Sequence, residues 1–264
     1  MWNKLKKKPI IRWAVLIGGA AVFILVILIV MAQVGVVKMG GEEPSQQEDE
    51  KGGSTTELHR VPKLDYKVDL LTPNRFSRPQ LELKKVNAVV VHYVSNPGTT
   101  AKDNRDYFNN LSRINEGKAS PVFASAHFVI GLKGEILQCI PLAEMAYASN
   151  SRNSDTIAIE CCHPDEDGKF TSETYASLIN ALTYLCIRYG LDPSKDIIRH
   201  YDVTGKMCPK YYVKHPEAWK KLVEDAKKSV EKTKEELKKE SIPYDLEDAN
   251  GKVTDNKETK SEKR

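Results

Sequence analysis

The chain has 264 residues, 40 of them basic and 36 acidic, for a net charge of +4. That length allows one domain of roughly 150 residues with appendages. The basic residues are interleaved with acidic ones rather than gathered on a face, which argues against nucleic acid as the main partner.

Residues 1–12 hold Lys4, Lys6, Lys7, Lys8 and Arg12, and residues 13–37 then run without a single charge. Roughly 20 apolar residues cross a bilayer, so 13–37 are expected to form one transmembrane helix. The basic flank places the N-terminus in the cytoplasm and the remainder outside. A cleaved signal peptide is the alternative, but its apolar core is shorter, about 7–15 residues. Residues 38–80 are expected to be an extracytoplasmic linker. Its first part is rich in Gly, Glu, Gln and Ser, too polar to bury a core. A flexible chain of some 40 residues reaches about 35 Å. Residues 58–85, with Pro62, Pro73 and Pro79, read as an irregular lead-in that wraps the domain edge.

The folded domain is expected over 81–231. A buried strand at 86–94 ends on His92-Tyr93-Val94, and Ser95-Asn96-Pro97-Gly98 is a turn. Thr100 caps a helix reaching about residue 115, with Tyr107, Phe108 and Leu111 on one face. A strand over 120–130 contains His127, and a hairpin turn at 131–134 leads to its partner at 135–140. Residues 141–155 read as a polar loop. In the strand 156–162, period two sends Thr156, Ala158, Glu160 and Cys162 to one face and Ile157, Ile159 and Cys161 to the other. Glu160 therefore interrupts an apolar run. A long helix capped by Thr171 carries a buried stripe through Leu178, Leu182 and Leu185 and stops at Gly190. Pro216 opens a charged helix. Strands separated by helices imply an α/β domain with a central mixed β-sheet flanked by helices. Residues 232–264 are dominated by Lys and Glu and are expected to form a charged tail, either a solvated helix that frays or a disordered segment.

Chemistry concentrates in His200-Tyr201-Asp202-Val203-Thr204-Gly205-Lys206-Met207-Cys208-Pro209. Imidazole and thiolate are preferred zinc ligands, and a catalytic zinc takes three protein ligands. His92, closing a buried strand, is the candidate third. Zn²⁺ held by His92, His200 and Cys208 would polarise a carbonyl and lower the pKa of water. Glu160 would serve as general base, and Lys206 would face a developing oxyanion. The reaction would be cleavage of an amide. Blander readings make Glu160 a partner of Arg199 and Lys206 a solvated loop lysine. Asn96 and His127 are candidate substrate-binding residues, with His127 equally readable as a satisfied core histidine. Cys139, Cys161, Cys162 and Cys186 read as core thiols rather than disulfide partners.

Val90-Val91-His92-Tyr93, Ser125-Ala126-His127-Phe128, Thr156-Ile157-Ala158-Ile159-Glu160 and the 200–209 motif together resemble the type 2 N-acetylmuramoyl-L-alanine amidases, relatives of peptidoglycan recognition proteins. The resemblance covers roughly 84–225. It implies a zinc hydrolase that cuts between the lactyl group of N-acetylmuramic acid and the L-alanine of the stem peptide. His92, His200 and Cys208 match the ligands of that family, Glu160 its strand glutamate and Lys206 the lysine before the last ligand. Where some relatives carry a tyrosine before the His127 position, this chain has Ala126. The implied partners are peptidoglycan and, through 13–37, a bacterial cytoplasmic membrane. A peptidoglycan-binding module without activity and a zinc peptidase acting on the stem peptide remain open alternatives.

Overall fold

The computed structural model of the chain describes residues 59–247 and 253–254. The expected membrane segment, the first half of the linker (38–58) and residues 248–252 and 255–264 lie outside that range. Among the described residues no helix is long and apolar enough to cross a membrane.

The apolar run at 86–94 becomes strand β3 (Ala88–Tyr93). It is flanked on both sides by parallel neighbours, β6 (Thr156–Cys161) and β7 (Ile197–Arg199). The six-stranded sheet continues through β4 (Phe128–Ile130), β5 (Ile136–Gln138) and β2 (Lys67–Val68), in the order β2-β5-β4-β6-β3-β7. Only the β4–β5 hairpin is antiparallel, so the sheet is mixed as expected.

Strands covered on both faces need near-continuous apolar sequence, and β3 supplies Val89, Val90 and Val91 at 0% exposure. One face packs Val89, Val91, Ile157 and Ile159 against Leu178, Leu182 and Leu185 of α3 (Ser172–Tyr189) and Leu222 of α7 (Pro216–Lys238). The other packs Val129, Ala158 and Cys162 against Ala101 and Phe108 of α1 (Ala101–Asn109). Each of these fully buried Val, Ile and Leu side chains contributes about 1.5–3 kcal/mol. The alternation read along β6 is the observed one. All five cysteines are free and buried.

Thr100 caps α1 as expected, in a reciprocal box with Asp103. The helix does not run unbroken to 115. It stops at Asn110, and a separate turn, α2 (Leu111–Ile114), follows; Tyr107 faces solvent. The strand expected over 120–130 is also shorter. Ala124 N–H donates to Phe76 O and Ser125 N–H to Tyr147 O, which diverts this stretch from the sheet ladder until Phe128.

Both expected domain boundaries fall short. Strand β1 (His59–Pro62) pairs antiparallel with β8 (Tyr244–Glu247), and β9 (Val253–Thr254) extends that second sheet. The packed body therefore starts within the supposed linker and continues past residue 231 into the supposed disordered tail. Sparse but well-placed apolar residues explain it: Val61 is 0% and Leu237 4% exposed. Arg188 also bridges α3 to Glu247 at 2.6 Å.

Candidate metal centre

Parallel pairing sets the site. His92 and Glu160 are directly registered across β3 and β6, and period two turns both toward one face. On the other side of β3, Val91 is registered with Arg199, so His200 leaves β7 at the same carboxyl end of the sheet. Ligands in open α/β sheets bind beyond those ends. The chain then makes α5 (His200–Thr204), reverses at Gly205 with φ 76°, and returns. Tyr201 N–H donates to Cys208 O at 2.8 Å, closing the loop and bringing the thiol back beside the first imidazole.

The donor atoms of His92, His200 and Cys208 all lie within 4.8 Å of one another. Cys208 Sγ is 3.8 Å from His92 Nδ1. Tetrahedral zinc with bonds of about 2.0 Å to nitrogen and 2.3 Å to sulfur puts the nitrogen and sulfur about 3.5 Å apart, so the 3.8 Å between His92 Nδ1 and Cys208 Sγ is close to that spacing. The histidines are oriented from behind. His200 Nε2 sits 3.0 Å from Asn150 Oδ1, which can only accept, so Nε2 carries the proton. That leaves a lone pair on His200 Nδ1, a buried atom with no hydrogen-bond partner. His92 Nε2 meets Ser149 Oγ at 3.3 Å, leaving its Nδ1 facing the thiol. Outer partners of this kind fix the tautomer of metal-binding histidines.

Glu160 Oε1 is 4.0 Å from His92 Nδ1, and Oε2 is sealed from solvent with no partner. Burial pushes its carboxyl up to about 8, with Lys206 pulling the other way. Burial, then the charges of His200 and Lys206, hold His92 well below its usual value, and burial followed by Lys206 lowers His200. Both rings are thus in the neutral, ligating form. Burial and Glu160 push the Cys208 thiol up to about 12, opposed by a backbone hydrogen bond from Tyr93 and by Lys206. A cation is what would draw that proton off.

A cleft of about 340 Å³ opens over the donors, with Lys206 on its rim and Phe123, Tyr147 and Asn153 in its walls. A larger cavity, about 700 Å³ near Lys85, Leu142 and Arg188, holds no such donor set.

Five residues singled out in the sequence, His92, Glu160, His200, Lys206 and Cys208, meet in this cleft. Arg199 is taken by Asp202 at 2.7 Å, which removes the reading of Glu160 as its ion-pair partner. His127 stands elsewhere. It is 0% exposed, accepts from Ala158 N–H through Nδ1 and donates from Nε2 to Glu144 O, so the substrate-binding reading gives way to that of a satisfied core residue. Asn96 does not join the cluster: it lies on the exposed turn after β3 and is not among the residues lining the cleft, and its carbonyl accepts from Thr99. Sequence reasoning missed Ser149, Asn150 and Asn153. Asn153 Oδ1 accepts from the N–H groups of Ala148 and Ser149 and so shapes the loop that steadies both histidines. The cluster of Ser and Asn between two apolar segments was the available signal.

The family model described as Amidase_2, N-acetylmuramoyl-L-alanine amidase, matches residues 82–211. The N-acetylmuramoyl-L-alanine amidase BlyA of Bacillus subtilis is 36% identical over 160 residues, which span 53% of this chain and 41% of that protein. CwlL of Bacillus licheniformis, of the same description, is 38% identical over 152 residues, covering 53% and 40%. The match thus spans about two-fifths of each relative. The solved structure of PlyL shares the fold, with a TM-score of 0.51 at 18% identity over 62% of this chain and 98% of that one.

Proposed function

We propose, from the match of residues 82–211 to the N-acetylmuramoyl-L-alanine amidase family, that the cleft of this chain hydrolyses the amide joining the lactyl group of N-acetylmuramic acid to the L-alanine of the peptidoglycan stem. The observation that carries this reading is the donor set: two imidazoles and a thiol around one point, with His200 Nδ1 buried and unpartnered. Zinc held by His92, His200 and Cys208 would supply Lewis acidity toward the amide carbonyl and toward water.

The chain's own groups do the rest. Glu160, whose carboxyl is raised by burial, would be drawn back to the ionised form by Lys206 and by a bound cation beside it, and as a carboxylate would take a proton from the attacking water and return it to the leaving amine. Lys206 on the rim sets positive charge where the oxyanion develops. Asn150 and Ser149 hold the imidazoles in orientation. The apolar residues 13–37 would anchor the chain in a bacterial cytoplasmic membrane with the cleft on the outer, wall side.

Digestion of purified wall by the full chain, with and without a chelator, tests the reading. New L-alanine amino termini and glycan strands bearing free lactyl groups are expected. Shortened stems still attached to glycan would indicate a peptidase instead. Cleavage that ignores the chelator and survives Cys208→Ser would remove the metal mechanism.

A further inference from the structure

The cleft does not end at the metal donors. Phe123, in its wall and 45% exposed, lies 5.5 Å edge-to-face from Tyr147 on one side and 5.3 Å from Phe76 on the other. The three rings form a continuous aromatic strip leading out of the site, and the Arg75 guanidinium closes its far end, 4.8 Å over the Phe76 ring.

Phe76 belongs to the stretch before residue 82, where the family match begins. A built turn presents it. Asn74 Oδ1 accepts from Phe76 N–H and Ser77 N–H, Asn74 Nδ2 donates to Ser77 Oγ, and Asn74 and Arg78 bridge through their backbones. Arg78 in turn clamps Glu144 with two hydrogen bonds. The turn is locked before anything binds.

The strip offers apolar ring surface, most openly on Phe123 at 45% exposure, and few hydrogen bonds. The backbone N–H and C=O of Val122 are both taken by the Asn115 side chain, Ala124 N–H by Phe76 O, and Ser125 N–H by Tyr147 O. Those backbone groups are already used and cannot pair with an extended peptide laid along this wall. A pyranose ring needs none, because the apolar C–H face of a sugar is drawn to the negative face of an aromatic ring. We propose that the Phe76–Phe123–Tyr147 strip is a glycan subsite, stacking a sugar ring of the strand that carries the muramic acid while the stem peptide leaves the cleft in another direction. This rests on the amidase reading for the substrate, and on this chain's own turn for the site.

The test compares two substrates with one stem peptide, one attached to a strand of at least two disaccharides and the other to the lactyl group alone. In the full chain, Phe76→Ala and Phe123→Ala should lower the ratio of kcat/KM for the first over the second about two- to tenfold, the worth of one aromatic stacking contact. Phe76→Tyr should keep the ratio. Equal losses on both substrates, or none, would overturn the subsite. A second arm titrates peptide-free glycan strands into the wild-type chain and into Phe76→Ala by calorimetry. Weaker binding to the variant supports the strip, and equal affinity or no binding to either overturns it. Should neither substrate be cleaved at the lactyl–alanine bond, the hydrolytic reading fails while glycan binding still decides the subsite.

Discussion

Asn150 offers the sharpest test of how the metal centre is held. Its Oδ1 accepts the His200 Nε2 proton at 3.0 Å and so keeps the lone pair of Nδ1 pointed at the donor cluster. Loss of an outer partner of this kind weakens metal binding about 10- to 100-fold, equal to about 1.4–2.7 kcal/mol. The choice of substitution matters, because Asn150 sits at φ 51°, a conformation that costs most residues roughly 1–2 kcal/mol. Asn150→Ala would mix backbone strain with the lost hydrogen bond. Asn150→Gly removes the amide without that strain, and Asn150→Asp keeps an acceptor. A competition titration of zinc against a chromophoric chelator should show the Gly variant weakened within the stated range and the Asp variant binding at least as tightly as the wild type. A Gly variant within twofold of wild type would refute the orienting role.

Glu160→Gln should cut turnover about 10²- to 10⁴-fold, as expected for a lost general base, while zinc affinity in the same titration changes far less; retained turnover would assign the proton transfer elsewhere. His127 gives a pH dependence of definite sign. Burial lowers its folded value from 6.5 to about 4, so the unfolded chain binds the proton more readily between those values. The stability from neutral, buried His127 is complete above pH 6.5 and falls away toward pH 4, by about 3 kcal/mol in all. Denaturant unfolding at pH 7 and 4.5 should show that loss in the wild type and a flatter profile in His127→Gln, and parallel profiles would contradict it. Leu237→Ala should destabilise by about 2–5 kcal/mol in equilibrium unfolding, since the side chain is 4% exposed in the core; a free tail would show no change.

The residues of the candidate site were more legible than the scaffold that orients them. A carboxylate inside an apolar run and an imidazole at the end of another are visible because strand periodicity is strict, and the two prove to be registered partners. The loop holding Ser149, Asn150 and Asn153 has no such period; its Ser and Asn content marks a polar loop, but its order comes from side-chain amides bonded to backbone and to a histidine distant in sequence, so composition alone does not say which partner each one meets. The second sheet was invisible for a related reason. β1 and β8 have four residues each, lie far apart in the chain, and sit among Lys and Glu. The stretch ahead of Phe128 resembled a strand in composition, but its N–H groups found Phe76 and Tyr147 first.

Because β1 closes against β8, the two extremities of the described body are stitched together rather than left as trailing ends. Trimming the chain to 82–211 would strip away α7 and leave Leu178, Leu182 and Leu185 with a bare flank. The folded unit of this chain is therefore wider than its family match, and recombinant versions should begin before His59 and run beyond Glu247.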